Sequence, residues 1–294
     1  MAYFNKHLNA VNFNIYDVDE ELQPFIDCYW KVEHENIINT HEFRVLSDAS
    51  MGISINLADP YSIQVLNEKK TYDEKFIIDG PTKHLSIMEF SKKLDLLGIR
   101  FRHAGAYVFF DESIHLFVDK HLKLINSDSW KIDELFLSLE KTTNIQEQIV
   151  ILNDFFLKKL REKKRTNSTW IYEFIKIIIE KNGDVELSCL CEQFNLSLKQ
   201  VERKFKEELG LNPKTFIRII RIKNTKDIIS SLKTDTLTDI AYESGFFDQA
   251  HLSKEFKFFM DETPRNYLCK KQQLALESNY KKFEKIKYSS KELV

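Results

Sequence analysis

The sequence from residue 187 to residue 221 reads LSCLCEQFNLSLKQVERKFKEELGLNPKTFIRIIR, and a related pattern follows from residue 236 to residue 268, TLTDIAYESGFFDQAHLSKEFKFFMDETPRNYL. Five positions recur at a constant spacing of 51 residues (201 to 252, for example). They are Val201, Phe205, Lys206, Pro213 and Phe216 in the first copy and Leu252, Phe256, Lys257, Pro264 and Tyr267 in the second. A repeat that keeps apolar positions, one lysine and a proline in register predicts one structural unit present twice.

Each copy has the signals of a helix, a tight turn, a second helix and then a proline-initiated helix. Ser197 and Gln200 make a capping box that predicts a helix over residues 198–209. Asn212 before Pro213 predicts a long helix to about residue 232. The second copy repeats the scheme, with caps at residues 236 and 248 and a glycine turn at residue 245. The pattern is that of a duplicated helix-turn-helix, a unit that binds DNA.

The second helix of each copy has an apolar face and a polar face, as a DNA-reading helix requires. Arginine pairs with guanine and glutamine with adenine in the major groove, and glutamate accepts from cytosine. The candidate contacts are Ser197, Lys199, Gln200, Glu202 and Arg203 in the first helix and Gln249, Ala250, His251 and Lys254 in the second. The connecting helix of about 30 Å would place them near successive grooves. Its expected phosphate contacts are Lys214, Arg218, Arg221 and Lys226.

The two copies resemble the double helix-turn-helix domain of the AraC/XylS family of bacterial transcription regulators. The most specific matches are Ile240-Ala241, Gly245-Phe246, Asp248-Gln249, Phe256-Lys257, Thr263-Pro264 and Tyr267. By position, the resemblance implies base reading by Lys199, Glu202 and Arg203, and by Gln249, Ala250 and Lys254. It implies double-stranded DNA as a partner and RNA polymerase as a further candidate. Cys191 stands where the family usually has alanine, and Asp261 where it usually has glycine.

The N-terminal half has short alternating runs with turn residues between them, which predict a β-rich domain. Segments 22–30, 44–57 and 96–107 resemble a poorly characterised sensor-like domain found ahead of some AraC-type domains. This resemblance implies a cupin-like β-sandwich or barrel. The expected fold class is therefore α+β, with a regulatory and dimerisation domain at 1–157, a linker at 158–167, the DNA-binding domain at 168–270 and a lysine-rich tail at 271–294.

A helical stripe near the end of the first domain left two interpretations open. Ile145, Ile149, Leu152, Phe156 and Leu160 recur at steps of three and four residues, and Thr143 with Gln146 suggests the helix start. The stripe is either a packing arm or dimer seam, or the face of a helix packed on its own sheet. A homodimer is accordingly one expectation.

Arg100, Arg102 and His103 lie around a predicted strand end and would suit an anionic effector. The alternative is that they pair with acidic residues of their own domain, where residues 1–157 carry 15 Lys and Arg against 25 Asp and Glu. No His-x-His pair or catalytic motif occurs, so we expect no metal site, no cofactor and no enzyme. The absence of a long apolar run or signal peptide favours a cytoplasmic protein.

Two functions from different classes follow from the sequence. The first is a sequence-specific transcription regulator whose N-terminal domain controls DNA binding, in response to a small-molecule effector. The second is an interaction protein with weak DNA affinity, whose N-terminal domain binds another protein. The second remains open because residues 168–270 carry 16 basic and 16 acidic residues, so the helical half is not basic in bulk.

Overall fold

The computed structural model describes residues 12–34, 41–46, 48–90, 92–163, 165–231 and 236–273. The N-terminal half forms two antiparallel sheets, which confirms the predicted α+β class. The strands are β1 (Asn12–Tyr16), β2 (Ile26–His34), β3 (His41–Val45), β4 (Gly52–Asn56), β5 (Tyr61–Val65), β6 (Glu68–Tyr72), β7 (Phe76–Asp79), β8 (Ser86–Phe90), β9 (Leu94–Phe101) and β10 (His121–Lys123). The larger sheet has the order β1-β2-β9-β4-β7-β10, and the smaller sheet has the order β3-β8-β5-β6.

The two faces of the larger sheet explain the alternation of its strands. Ile53, Ile55 and Leu57 pack in one apolar cluster, and this cluster also holds residues of the helices that follow the sheet. Leu94 and Leu96 of β9 belong to a different cluster, shared with the smaller sheet. The larger sheet is therefore covered on one face by helices and on the other by the second sheet, an arrangement that buries both sets of side chains.

Two helices complete the N-terminal domain, α1 (Ile132–Glu140) and α2 (Ile145–Arg161). Ile149, Leu152 and Phe156 of α2 lie in the apolar cluster under the larger sheet. The stripe therefore packs on its own domain, and its interpretation as a dimer seam is wrong. The predicted cap was also wrong, because the side chain of Asn144 accepts the amide of Gln146. Helix α2 continues to Arg161, so the first four residues of the predicted linker are helical.

The C-terminal half is helical. Its helices are α3 (Ile171–Glu180), α4 (Leu187–Gln193), α5 (Leu198–Glu208), α6 (Pro213–Ser231), α7 (Leu237–Glu243) and α8 (Gln249–Met260), and a further helix runs from residue 264 to the end of the described chain at residue 273. Helix α6 has buried isoleucines on several sides, because it packs between the two helix-turn-helix units. None of the helices described is long and apolar enough to cross a membrane.

The apolar core of the helical domain continues into the N-terminal domain. Leu46, Ala49 and Ala104 belong to the same buried cluster as α3, α5 and α6. Gly210, two residues after the end of α5, lies against the N-terminal domain and has a φ of 89°. A Cβ atom at this position would lie 2.9 Å from Val118 Cγ2 and 3.1 Å from the Ile114 carbonyl oxygen. A side chain at residue 210 would therefore strain the left-handed backbone and overlap with atoms of the N-terminal domain.

The repeat supplies a test of this contact, because Asp261 follows α8 as Gly210 follows α5. Asp261 also has a positive φ, of 55°, but its side chain is exposed. We expect Gly210→Ala to lower the free energy of unfolding by about 2 kcal/mol, from left-handed strain and steric overlap together. Asp261→Ala should change it by less than about 1 kcal/mol. Denaturant titration of both variants measures this difference, and equal effects would contradict a special role for the contact at residue 210.

Candidate DNA interface

The turn that joins α4 to α5 has the same backbone geometry as the turn that joins α7 to α8. Asn195 has a φ of 52° and Gly245 a φ of 73°. The residue after each turn donates its amide back to the first helix, Leu196 to the Cys191 oxygen and Phe246 to the Ala241 oxygen, both at 2.9 Å. This match confirms that one structural unit occurs twice.

Both second helices begin at strong N-terminal caps. Ser197 and Gln200 form the complete capping box predicted for α5, and Asp248 accepts the amide of His251 at 2.7 Å for α8. The Gln200 Oε1 atom accepts from both the Ser197 amide and the Ser197 hydroxyl group. These two side chains therefore hold the start of α5, and a DNA contact by Ser197 or Gln200 would compete with these bonds.

The other candidate base contacts have exposed side chains. These residues are Lys199, Glu202 and Arg203 on α5 and Gln249, Ala250, His251 and Lys254 on α8. The Arg203 side chain is 66% exposed and has one weak ionic contact, 3.9 Å from its Nη1 to Glu207 Oε2. Such a surface pair costs little to break, so the Arg203 guanidinium is available to an external acceptor.

Of the four predicted phosphate contacts, only Lys214 is exposed. Arg218 donates two hydrogen bonds to the Glu255 carboxylate, at 2.5 and 3.0 Å. Arg221 donates to the Gly183 oxygen at 2.8 Å and lies over the Phe246 ring. These two arginines hold α6 against its neighbours, and a phosphate would have to compete with those contacts.

Lys226 requires the clearest correction. The residue is 8% exposed, and it lines a small cavity with Arg44 of the N-terminal domain and Met260 of α8. Burial lowers the pKa of Lys226 to about 8, although the neighbouring Asp227 carboxylate acts in the opposite direction. Its amino group therefore faces the interior between the two domains, where a DNA phosphate does not reach.

Sequence reasoning missed the polar contacts that join α5 to the N-terminal domain and to the segment between the domains. The Tyr107 hydroxyl group donates to Glu207 Oε1 at 2.6 Å, and this bond lowers the pKa of Glu207. Glu208 is 1% exposed and accepts from the amide and hydroxyl group of Ser168 and from the Asn167 amide group. The one sequence signal for Glu208 was its place three residues after Phe205, on the apolar face of α5.

A cavity of about 360 Å³ lies between the two sheets of the N-terminal domain. Its walls are mostly apolar, and its charged lining comprises Asp17, Asp27, Asp48, Asp79, Arg100 and His121. Arg100 forms ionic contacts with Asp27, at 3.1 Å, and with Asp48. Asp79 accepts from the Ser54 hydroxyl group and lies 2.7 Å from His121 Nδ1. Within the described residues, no group of His, Cys, Asp and Glu side chains could hold a metal ion.

The three predicted effector contacts do not lie together. Arg100 lines the cavity, whereas Arg102 is on the surface and donates to the Gln23 oxygen at 2.5 Å. His103 is half-buried between the domains, with its Nε2 atom 2.8 Å from the Asp48 oxygen and its ring against Phe216. Burial, reinforced by the charge of Arg100, lowers the pKa of His103 to about 3, so the ring is neutral at physiological pH. The alternative interpretation was that these side chains pair with acidic residues of their own domain. It describes the contacts better than a shared site for an anionic effector does.

Comparison with known proteins agrees with this geometry. Residues 190–270 match the family described as "Helix-turn-helix domain", and residues 16–123 match "Domain of unknown function (DUF6597)". The HTH-type transcriptional activator RhaS of Escherichia coli (strain SE11) is 31% identical over 83 residues, which are 28% of this chain and 30% of that protein. This chain therefore matches less than a third of the length of that relative.

Solved structures of similar proteins include ToxT from Vibrio cholerae, which is 14% identical, with 88% of this chain and 98% of that chain covered and a TM-score of 0.42. The C-terminal domain of AraT from Geobacillus stearothermophilus is 23% identical over 36% of this chain and 88% of that one, with a TM-score of 0.34. The helical half is a duplicated helix-turn-helix domain. Over this helical half the chain is similar to regulators of the AraC/XylS family, as the sequence resemblance implied.

The different surroundings of Lys214 and Lys226 predict different effects on DNA binding. We expect Lys214→Ala to weaken binding to all sequences alike and to reduce the slope of log affinity against log salt concentration by about 1, because one phosphate contact is lost. Lys226→Ala should leave this slope unchanged. Fluorescence anisotropy at several salt concentrations gives both slopes. If Lys226→Ala reduced the slope and Lys214→Ala did not, the assignment of exposed and buried lysines would be contradicted.

Proposed function

We propose that this protein is a sequence-specific, DNA-binding transcription regulator in which α5 and α8 enter successive major grooves of double-stranded DNA. The observation that carries the proposal is the exposure of Lys199, Arg203, Gln249 and Lys254 on two helices held by matching turns and joined by α6. Helix α6 has 19 residues, or about 28 Å at 1.5 Å per residue. This length suits the spacing of about 34 Å between adjacent major grooves.

The alternative, an interaction protein whose N-terminal domain blocks access to DNA, has less support. The N-terminal domain contacts the C-terminal end of α5 through Glu207, whereas DNA-reading residues of such helices lie towards the N-terminal end. Arg203 remains largely exposed in this arrangement. The docked N-terminal domain thus supports the first helix-turn-helix unit and leaves its reading face open.

Selection of bound fragments from a genomic DNA library by the full chain tests the proposed function. We expect enrichment, at about physiological salt, of a motif with two half-sites one helical turn, or about 10 base pairs, apart. Failure to enrich any motif would overturn the proposal in favour of the interaction protein. The proposal also includes RNA polymerase as a partner and a homodimer. The fragment selection does not test these two parts.

Arg203 provides the sharpest single-residue test of base reading. We expect Arg203→Ala to reduce specific affinity by about 1–3 kcal/mol, the contribution of a bidentate arginine–guanine pair, while non-specific affinity changes less. Arg203→Lys should recover only part of the loss, because lysine lacks the planar fork. Binding to the enriched operator and to a scrambled duplex measures both quantities. Unchanged specific affinity would show that α5 is wrongly placed as a reading helix.

The cavity between the sheets supports the second part of the proposal, control by a small-molecule effector. Its lining residues Leu46 and Asp48 continue directly into the contact with the helical domain. The Asp48 oxygen accepts from His103, whose ring lies 5.1 Å from that of Phe216 on α6. A ligand that rearranged Arg100 and Asp48 would therefore disturb the contact between α6 and the N-terminal domain. With four aspartates and one arginine in its lining, the cavity favours a ligand with hydrogen-bond donors or positive charge over the anion suggested by sequence.

Filling the cavity should separate effector response from DNA binding. Met88 lines the cavity at the smaller sheet, and Met88→Trp should occupy part of its volume. Where cell-metabolite extract changes the operator affinity of the parent chain by about fivefold or more, we expect Met88→Trp to show no response and an unchanged affinity without extract. Met88→Leu is the control that keeps the cavity. An identical extract response in Met88→Trp would contradict this cavity as the effector site.

A further inference from the structure

The second helix-turn-helix unit is one residue longer than the first, and the additional residue is Phe247. Through the turn the units correspond at a spacing of 50 residues, since Asn195 matches Gly245 and Leu196 matches Phe246 in dihedral angle and hydrogen bonding. The caps of the reading helices, Ser197 and Asp248, correspond at a spacing of 51. The second unit thus has one additional residue between its turn and its reading helix.

Packing does not account for this additional residue. A hydrophobic side chain just before an N-terminal cap commonly packs on the fourth residue of the helix, which is Leu252 in α8. Leu252 is fully buried, but Phe247 is 85% exposed, the highest value among the large hydrophobic residues that the structure describes. Phe246 does the packing in this unit, because it is buried and its ring lies 5.3 Å from that of His251.

The surroundings of Phe247 indicate what it contacts. It directly precedes the end of α8 that carries the exposed residues Gln249 and Ala250, with Lys254 one turn further on. Ala250 has no hydrogen-bonding side chain, so two apolar groups lie beside the Gln249 amide group at this end of α8, where His251 is also exposed. The apolar group that the major groove offers is the thymine methyl, and the glutamine amide pairs with adenine.

We propose that Phe247, with Ala250, packs on thymine methyl groups, so that the second unit prefers A·T base pairs. The first unit, which presents Arg203 and Glu202, would instead prefer G·C pairs. This inference rests on the proposed DNA-binding function and adds the base composition of each half-site. Phe247 acts as a specificity residue by excluding water from the methyl groups, a contact that contributes no fixed charge and no salt dependence.

Replacing thymine by deoxyuridine tests the inference, because this change removes the methyl group and keeps every hydrogen-bonding atom. The probe is the operator enriched by the full chain, and the half-site read by α8 is the one whose base preferences survive Arg203→Ala. We expect each contacted methyl group removed from that half-site to weaken binding by the full chain roughly fourfold, the effect of burying one methyl-sized group. The same change in the other half-site should have little effect.

Variants at residue 247 complete the test. Phe247→Ala should bind the thymine and deoxyuridine probes equally well, whereas Phe247→Leu should keep part of the preference for thymine. Tyr242→Ala is the matched control, since Tyr242 is also exposed but belongs to α7, and it should retain the full preference. The inference is overturned if the full chain does not distinguish the two probes, if Phe247→Ala distinguishes them as the full chain does, or if the half-site contains no thymine. Failure of the proposed function would already appear as the absence of an enriched operator.

Discussion

The arrangement of the molecule depends on the contact between the C-terminal end of α5 and the N-terminal domain. A carboxylate that is removed from water must be compensated by hydrogen bonds, and Glu208 obtains them from Ser168 and Asn167 in the segment that joins the domains. Glu207 adds the bond from Tyr107. The connecting segment, the N-terminal domain and the first reading helix are therefore held by adjacent residues on a single helical turn.

This contact also joins the apolar cores of the two halves. The same apolar cluster contains Leu46 and Ala49 from the edge of the β-domain and Phe216 from α6. Close-packed interiors change between discrete arrangements more readily than they deform gradually. Asp48 is connected to α6 through His103, whose neutral, half-buried ring lies between the Asp48 oxygen and Phe216. The helical domain therefore contacts a residue, Leu46, that also lines the cavity.

The sequence predicted the helical domain well because its signals are local. Capping residues, the proline that starts α6 and the three-to-four-residue apolar spacing each act within one or two turns, and these elements lie close to their predicted limits. The β-domain was predicted as a class, since alternation reveals a strand but not its partners. The order β1-β2-β9-β4-β7-β10 joins residues far apart in the chain, and nothing in a single strand specifies such pairing.

The predictions for charged side chains were the least accurate, for a related reason. An arginine or lysine on a helix has the same sequence signature whether it contacts a phosphate or a neighbouring helix. Glu255, which engages Arg218, lies 37 residues away, and the environment that buries Lys226 is formed partly by another domain. The stripe on α2 raised the same ambiguity, because an apolar face does not reveal whether its partner is the same chain or a second copy.

The duplication itself has a physical consequence that neither unit shows alone. Two copies of one unit joined by a rigid helix would read the same bases twice if their reading helices remained alike. Here the framework is conserved in turn geometry, caps and core positions, whereas the exposed faces have diverged, with a cation and carboxylate on α5 and an aromatic ring, an amide and a methyl group at the start of α8. Because buried positions are constrained by packing and exposed ones are not, the divergence lies on faces that can change without loss of core packing. An extra residue between the turn and the cap is tolerated for the same reason, since Phe246 occupies the buried place and Phe247 is directed outward.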